Sequence, residues 1–380
     1  MEENLILLEI SLKGFKSFGK TNSTIKLNED VNVVIGANGS GKSNFISFLE
    51  MIAYIASDGF SDYVAKNGFA RSLLHFGPKV TSHIDATVKF KIAEKSDEYS
   101  FSLCPTVGDV LYFHSENVKY TKVNKEKPYE KKFGVSSERS NLIKEAQNNK
   151  TVKSILYLLK TINIFHFNDT SISSSMRTPS YVYGSKYLMS NAGNIAPFLY
   201  SMQNKDKQYY DRIINIIREV FPRFDNFTLE PTNQGGTNSY LLLNWKEKGS
   251  NEIFGPHQLS DGTLRFIALT TLLLQPKKTL PSVIVLDEPE MGLHPHAIHI
   301  VADIIKQVSS YAQIIIATQS VNLLNCFDTE NILVAEYDYE QNTSIIKRLD
   351  DEKLEQWLED YSLGELWEKN VLGGVPQYAF

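Results

Sequence analysis

Apolar runs alternate with helical patterns near both ends of the chain. The apolar run at 31–35 leads through a glycine-rich turn into residues 44–56, where apolar positions recur at helical spacing. Towards the C-terminus, apolar runs at 282–290 and 313–320 flank a helical pattern over 297–310. Strands that are apolar on both faces and alternate with helices predict a mostly parallel sheet covered by helices on both sides.

The middle of the chain has a different pattern. Alternating apolar and polar residues at 83–92 and 99–105 predict two paired strands, and helical patterns extend over 138–160 and 206–220. Residues 119–132 are rich in lysine and contain a proline, which is typical of a solvated hairpin or loop. A patch that binds nucleic acid or a partner protein is the alternative interpretation of this segment.

Composition narrows the class of protein. The hydrophobic fraction of 42% and the charged fraction of 22% are ordinary for a globular protein. A net charge of −5 argues against a generally basic nucleic-acid binder. Two cysteines give no disulfide framework and no cysteine-based zinc site. With no signal peptide or membrane span in its pattern, we expect a cytoplasmic protein.

Residues 36–43 read GANGSGKS and satisfy the phosphate-loop pattern G-x-x-x-x-G-K-S/T, between an apolar strand and a helix. The glycines let successive backbone N–H groups face the phosphates. Lys42 supplies charge to the outer phosphates, and the Ser43 hydroxyl is placed to bind Mg²⁺. We therefore predict nucleotide binding by Gly36, Ala37, Asn38, Gly39, Ser40, Gly41, Lys42, Ser43 and Asn44.

A second motif lies where the apolar run at 282–287 ends in acidic residues. Asp287 is predicted to hold the Mg²⁺ shell, and Glu288 to polarise the attacking water. Together with the phosphate loop, these carboxylates predict Mg²⁺-dependent binding and hydrolysis of a nucleoside triphosphate.

A third motif, QLSDGTLRF at 258–266, places a polar turn before an apolar helical pattern. Helix starts of this kind bind anions through unpaired N–H groups and the helix dipole. The sequence therefore predicts a second anion-binding helix start in the same chain.

These motifs, together with GLHP at 292–295, resemble the ABC-type ATPase heads of the SMC and RecF group. More closely, the chain resembles the bacterial AAA_21 family of ATPases, because FHFNDTS at 165–171 and the tail at 357–374 are similar to segments of that family.

The resemblance implies a fold and a domain organisation. It implies an α/β P-loop NTPase head with a mostly parallel core sheet, an antiparallel β subdomain and an inserted helical or mixed lid. We expect an N-terminal ATPase lobe over 1–105, the inserted lid over 106–250, a C-terminal ATPase lobe over 251–340 and a family-specific tail over 341–380.

The resemblance also implies a dimer. In such heads, the turn that matches Ser260, Asp261 and Gly262 binds the γ-phosphate of the nucleotide held by the other subunit. Asp261 replaces the first glycine of the usual L-S-G-G. The switch position, usually histidine, is Gln319, whose amide can hydrogen-bond the γ-phosphate and water but carries no imidazolium charge.

Several other positions receive interpretations from the same resemblance. Residues 292–295 match the D-loop, which crosses the dimer interface. Asp169 either takes the place of the Q-loop or caps the serine-rich turn that follows it. Arg265 either reaches a phosphate or a partner carboxylate or has a surface role. Lys16 or Phe18 is placed near the base or the phosphates.

The function that follows is a nucleotide-gated switch. ATP would join two heads into a homodimer or a higher even-numbered oligomer, and hydrolysis would release them. Related ATPases imply a separately encoded effector, such as a nuclease, in bacterial anti-phage defence. The alternative is a DNA-repair or chromosome-maintenance ATPase that clamps DNA directly. A transporter ATPase subunit is disfavoured because the insertion and the tail resemble none.

Overall fold

The computed structural model describes residues 5–92, 95–122, 128–134, 137–183, 185–233, 239–349, 354, 357 and 359–373. Its contacts divide the chain into two compact units. Unit 1 comprises Met1–Ile164, Ser282–Val285 and Gln313–Phe380, and unit 2 comprises Phe165–Pro281 and Leu286–Ala312. Within the described residues, each helix is too short or too polar to cross a membrane.

The strands are β1 (Leu5–Lys13), β2 (Ser23–Lys26), β3 (Val31–Ile35), β4 (Ile84–Ile92), β5 (Lys95–Pro105), β6 (Leu111–Lys122), β7 (Tyr129–Lys132), β8 (Ile162–Phe165), β9 (Ser180–Tyr181), β10 (Phe224–Thr228), β11 (Thr232–Asn233), β12 (Ser239–Leu241), β13 (Asn244–Glu247), β14 (Val283–Asp287), β15 (Gln313–Thr318), β16 (Ile332–Asp338) and β17 (Thr343–Arg348). The helices are α1 (Lys42–Ala56), α2 (Phe60–Lys66), α3 (Phe69–Leu73), α4 (Leu142–Ala146), α5 (Lys150–Lys160), α6 (Ile195–Lys205), α7 (Lys207–Val220), α8 (Asp261–Leu273), α9 (Pro295–Val308), α10 (Val321–Leu324) and α11 (Leu363–Glu368).

One sheet of unit 1 is antiparallel, in the order β2-β1-β4-β5-β6-β7. The predicted pairing of 83–92 with 99–105 is confirmed, because β4 and β5 pair from Ile84 opposite Leu103 onwards. A hairpin or loop was one of the two interpretations of the lysine-rich segment. The segment forms a hairpin, because β6 pairs with β7, and Tyr120 lies opposite Tyr129. Residues 123–127 of that segment lie outside the described residues.

The second sheet of unit 1 has the order β17-β16-β3-β15-β14-β8. β3 runs parallel to both β15 and β16, while β17 returns antiparallel to β16. All residues of β3 and β15 are buried, as their apolar runs predict for strands covered on both faces. The α/β fold with a parallel core sheet and a separate antiparallel sheet is therefore confirmed.

α1 follows β3 and supplies part of the core of unit 1. Its apolar residues Phe45, Phe48, Leu49 and Ile52 recur at spacings of three and four and are buried on one face. These residues belong to one continuous hydrophobic cluster with side chains of the antiparallel sheet, such as Phe90. The packing of these side chains along α1 thus fixes the position of the N-terminus of this helix.

Unit 2 is built mainly of helices, with two small antiparallel sheets, β10-β13 and β11-β12-β9. α7 is amphipathic, because Tyr210, Ile213, Ile214 and Ile217 are buried on one face. α8 is buried at every position from Leu264 to Leu273, which explains its nearly uninterrupted apolar sequence. Only the first turn of α8 combines polar residues with exposure to solvent.

Candidate functional site

The phosphate-loop motif forms a tight turn between β3 and α1 in unit 1. Gly39 has a φ of 81° and Gly41 a φ of 111°, a region that residues with a Cβ atom rarely adopt. Among the described residues, no side chain caps the N-terminus of the 15-residue helix α1. An uncapped helix start behind a glycine turn presents backbone N–H groups and the positive end of a helix dipole, which suits a phosphate group.

Two glycines of this turn are required by close packing. A Cβ atom at Gly36 would lie 2.3 Å from the carbonyl oxygen of Ala335, and one at Gly41 would lie 2.3 Å from Oγ of Ser344. Both distances are far below a van der Waals contact. The path of the turn therefore depends on β16 and β17, which follow almost 300 positions later.

The hydroxyl groups behind the turn form a small network. Oγ of Ser344 and Nδ2 of Asn44 each donate to Oγ of Ser17, at 2.7 Å in both cases. In the same segment Lys16 donates from Nζ to Oγ of Ser47 at 2.6 Å, and burial lowers the pKa of this lysine. Phe18 is fully buried, which excludes the predicted contact between its side chain and a nucleotide base in this conformation.

Lys42 is held close to the turn that precedes it. Its side chain is buried, and Nζ donates to the carbonyl oxygens of Gly36 and Ala37. Ser40 is buried as well, whereas Asn38 and Ser43 are exposed to solvent. The Lys42 charge is thus already fixed beside the turn, and the Ser43 hydroxyl is accessible to a ligand.

Gln319, the predicted switch residue, lies at the same edge of the parallel sheet as the turn. Thr318, at the end of β15, pairs with Ile35, at the end of β3, and Gln319 is the next residue after β15. The carboxyl ends of parallel strands meet at one edge, where ligands of open α/β sheets bind. The structure therefore brings Gln319 and the start of the phosphate loop together within unit 1.

In unit 2, Asp287 and Glu288 share a small pocket with Asn168 and Arg265. Nδ1 of His166 lies 3.8 Å from Oδ2 of Asp287. Glu288 has a φ of 47°, and such strained positions of non-glycine residues are concentrated at functional sites. The sequence motif gave no sign of this backbone conformation.

The third motif begins α8. Ser260 is the N-cap residue, and its Oγ accepts a hydrogen bond from the backbone N–H of Thr263 at 3.2 Å. A Cβ atom at Gly262 would lie only 2.2 Å from the carbonyl oxygen of Gly292, in the segment that matches the D-loop. The lack of a side chain at Gly262 therefore permits direct backbone contact within the same unit.

Arg177 is a residue that the sequence motifs did not indicate. Its side chain is only 6% exposed, and Nη2 donates to Oδ1 of Asp261 at 2.8 Å. The same guanidinium donates to the carbonyl oxygens of Thr170, Pro256 and Leu259. Because 84 positions separate Arg177 from Asp261, no local pattern could have revealed the pair.

Arg265 has a structural environment that corrects its predicted surface role. Its side chain is buried, and the guanidinium donates to the carbonyl oxygens of Phe167, Asn168 and Met291. Burial lowers the pKa of this guanidinium. The surface interpretation is therefore wrong, because the Arg265 side chain is buried and its guanidinium donates to backbone carbonyl groups of unit 2.

Asp169 has a partner two residues further along the chain. Its Oδ1 accepts from the backbone N–H and the Oγ of Ser171, at 3.1 and 2.7 Å. These hydrogen bonds lower the pKa of the Asp169 carboxyl. This is the geometry of the capping interpretation, in which the carboxylate organises the serine-rich turn.

Comparison with known proteins gives a family for this chain. Residues 31–325 match the model of the AAA_21 family, described as "AAA domain, putative AbiEii toxin, Type IV TA system". A segment of 73 residues is 36% identical to Structural maintenance of chromosomes protein 3 from Arabidopsis thaliana; it covers 19% of this chain and 6% of that protein.

Solved structures with a similar fold are SMC heads. An SMC head bound to the C-winged helix domain of ScpA has a TM-score of 0.54 at 18% identity, covering 92% of this chain and 99% of that one. A Pyrococcus furiosus SMC head, with an extended coiled coil and bound to the C-terminal domain of ScpA, has a TM-score of 0.51 at 16% identity, covering 94% and 99%. At these identities the likeness concerns the fold. The chain therefore belongs to the AAA_21 family and has the fold of an SMC-type ATPase head.

Proposed function

We propose that this protein binds and hydrolyses ATP with Mg²⁺, and that ATP joins two chains head to head. The observation that carries the proposal is the turn between β3 and α1, in which Gly36 and Gly41 leave no room for a side chain and an uncapped helix start follows. Such a turn is suited to the phosphates of a nucleotide. The family match over 31–325 supports the same chemistry.

The residues proposed to bind the nucleotide and Mg²⁺ have separate roles. Lys42 balances the charge of the outer phosphates, from a position that its contacts with the turn already restrict. Ser43 and Asp287 offer a hydroxyl and a carboxylate, the hard oxygen ligands that Mg²⁺ prefers. When bound, Mg²⁺ would neutralise charge on the phosphates.

Glu288 is the proposed general base. A carboxylate directly after the strand that ends in Asp287 can accept a proton from an attacking water molecule. Its positive φ holds the side chain in a direction that an ordinary turn would not give it. Gln319, at the carboxyl edge of the parallel sheet, is proposed to orient the same water through its amide.

The second helix start is proposed to act on the nucleotide of another chain. Ser260 and Asp261 are exposed at the start of the 13-residue helix α8, whereas the rest of that helix is buried. An exposed, capped helix start is available to an anion that arrives from outside the unit. We therefore propose a homodimer, or a higher even-numbered oligomer, in which Ser260, Asp261 and Gly262 complete the partner's ATP site.

We extend the proposal to control of a separately encoded effector, such as a nuclease in bacterial anti-phage defence. Both SMC heads compared above were solved with a second protein, ScpA, which supports partner binding by heads of this fold. Direct clamping of DNA is the alternative and fits the same fold. It receives less support from the lysine-rich hairpin, because Lys119 pairs with Glu98 and Lys131 with Glu145.

The proposal is tested with Glu288→Gln. We expect steady-state phosphate release to fall by roughly 100-fold or more, the scale of a lost general base. Sedimentation with Mg²⁺ and ATP should then show a stable dimer, because binding persists without hydrolysis. Glu252→Gln, at an exposed site of the same unit, is the matched control and should behave as wild type. Unchanged turnover of Glu288→Gln would remove it as the base, and a monomer in ATP would remove the dimer.

A further inference from the structure

We infer that Arg177 is a positioning residue of the composite ATP site, which neutralises Asp261 and turns its carboxylate away from the start of α8. The inference rests on the proposed function, because it concerns the approach of the partner's γ-phosphate to this helix start. It assigns a role to Arg177, which lies outside the phosphate-loop and signature motifs, and to the carboxylate that Asp261 places in the signature turn.

The geometry shows how firmly the pair is built. Arg177 has a side-chain exposure of 6%, whereas Asp261 has one of 68%, so a buried guanidinium holds an exposed carboxylate. The carbonyl oxygens of Pro256 and Leu259 accept from the same group, just before the helix begins. The carbonyl oxygen of Thr170 accepts from Nε of the same guanidinium at 2.9 Å. Arg177 is therefore held in place whether or not a ligand is present.

The charges explain why a site for an anion would need this arrangement. A carboxylate in the first turn of a helix is itself an anion that the N–H groups and the dipole attract. An unpaired Asp261 would compete for the groups that a phosphate needs, and it would repel a triphosphate a few ångströms away. The 2.8 Å bond to Arg177 removes both effects, since the carboxylate is directed towards a fixed positive charge.

A purely structural role for Arg177 leads to a different expectation. If the arginine only secured the loop before α8, its replacement would lower the stability of unit 2, and the charge of Asp261 would be irrelevant. If it neutralises Asp261, removing the carboxylate charge should compensate for removing the arginine. The two explanations are separated by combining the substitutions.

The experiment measures ATP-driven dimerisation in the Glu288→Gln protein, which holds nucleotide without turnover. Adding Arg177→Gln should weaken the dimer roughly tenfold or more, because the uncompensated Asp261 carboxylate would repel the partner's phosphates. Adding Asp261→Asn to that variant should recover most of the loss, because asparagine keeps the shape and removes the charge. Binding of a fluorescent ATP analogue to the single chain should stay unchanged throughout. Arg223→Gln, which removes the exposed arginine paired with Glu247, is the matched control and should leave dimerisation unchanged.

The outcomes separate this inference from the proposed function. If the Glu288→Gln parent stays monomeric in ATP, the proposed function fails. If the parent dimerises and the Arg177→Gln/Asp261→Asn protein is no better than Arg177→Gln, neutralisation is excluded and Arg177 acts by packing. Should Arg177→Gln not fold, Arg177→Lys replaces it, since lysine keeps the positive charge but lacks the planar, forked guanidinium. Dimerisation of the lysine variant close to wild type is then expected, and a tenfold loss in a folded lysine variant would overturn the inference.

Discussion

The two helix starts proposed to bind phosphate are stabilised in different ways. At α1 the backbone itself makes the turn, through glycines with left-handed φ values and a helix start without a side-chain cap. At α8, Ser260 caps the helix. Two arginines with buried side chains hold the surrounding loops: Arg177, from elsewhere in the sequence, and Arg265, further along the helix.

This difference shows two ways to prepare a site for an anion. A glycine turn has no side chains beyond a hydrogen atom at each glycine, so the first groups that a ligand contacts are the backbone N–H groups. A capped helix start is stable without a ligand, and its response to an anion depends on the charges placed around it. Substitutions at the two starts should therefore have different consequences for a single chain and for a dimer.

The largest effect is expected at the glycine turn, from Gly41→Ala. The new Cβ atom would meet Oγ of Ser344 at 2.3 Å, at a φ of 111° that alanine rarely adopts. We expect a loss of about 3 kcal/mol in the free energy of unfolding, the sum of overpacking and backbone strain. Binding of ATP to the single chain should be lost as well, measured by titration calorimetry. Gly249 also has a positive φ, of 78°, but open space around it, so Gly249→Ala should cost less and keep binding.

A smaller effect is expected from Gly262→Ala at the start of α8. Its Cβ atom would lie 2.2 Å from the carbonyl oxygen of Gly292, so the D-loop segment must shift. We expect about 2 kcal/mol of destabilisation in urea unfolding, within the range for overpacked sites. Single-chain ATP binding should persist while ATP-driven dimerisation is lost. Equal loss of both would show that the two helix starts are not separable.

The smallest effect is expected from Ser260→Ala, which removes the cap of α8. The Thr263 N–H would lose its acceptor, which costs about 1 kcal/mol in typical helices. Thermal unfolding should report this loss, and dimerisation in ATP should weaken because the proposed phosphate contact from the hydroxyl is gone. Ser320→Ala removes the equivalent cap of α10 and gives the matched control for the loss of a cap alone. Dimerisation equal to that of the control would exclude a phosphate contact by Ser260.

The sequence predicted what depends on local pattern. The turn at 36–43, the helix after it and the apolar strands are confirmed because glycine geometry, strand burial and helix periodicity are properties of adjacent residues. The helix start predicted within 258–266 is likewise confirmed, because α8 begins at Asp261 with Ser260 as its N-cap and the capping pattern is local.

What the sequence could not predict depends on distant residues. Arg177 was not singled out, and a surface role was one of the two interpretations of Arg265, because a buried guanidinium is indistinguishable in sequence from an exposed one until its acceptors are known. The acceptors of Arg265 at Phe167 and Asn168 are nearly a hundred positions away. The positive φ of Glu288 is equally invisible in sequence, since acidic residues ordinarily end strands without strain.

The contact between Gly41 and Ser344 has a consequence for the biosynthesis of the protein. The glycine turn is translated well before β15 and β16, the neighbours of β3 in the sheet. Contacts so distant in sequence form slowly and only once both partners are available. A nascent chain therefore carries its phosphate loop without a finished frame until β15, β16 and β17 have left the ribosome, and the proposed ATP site is completed only then.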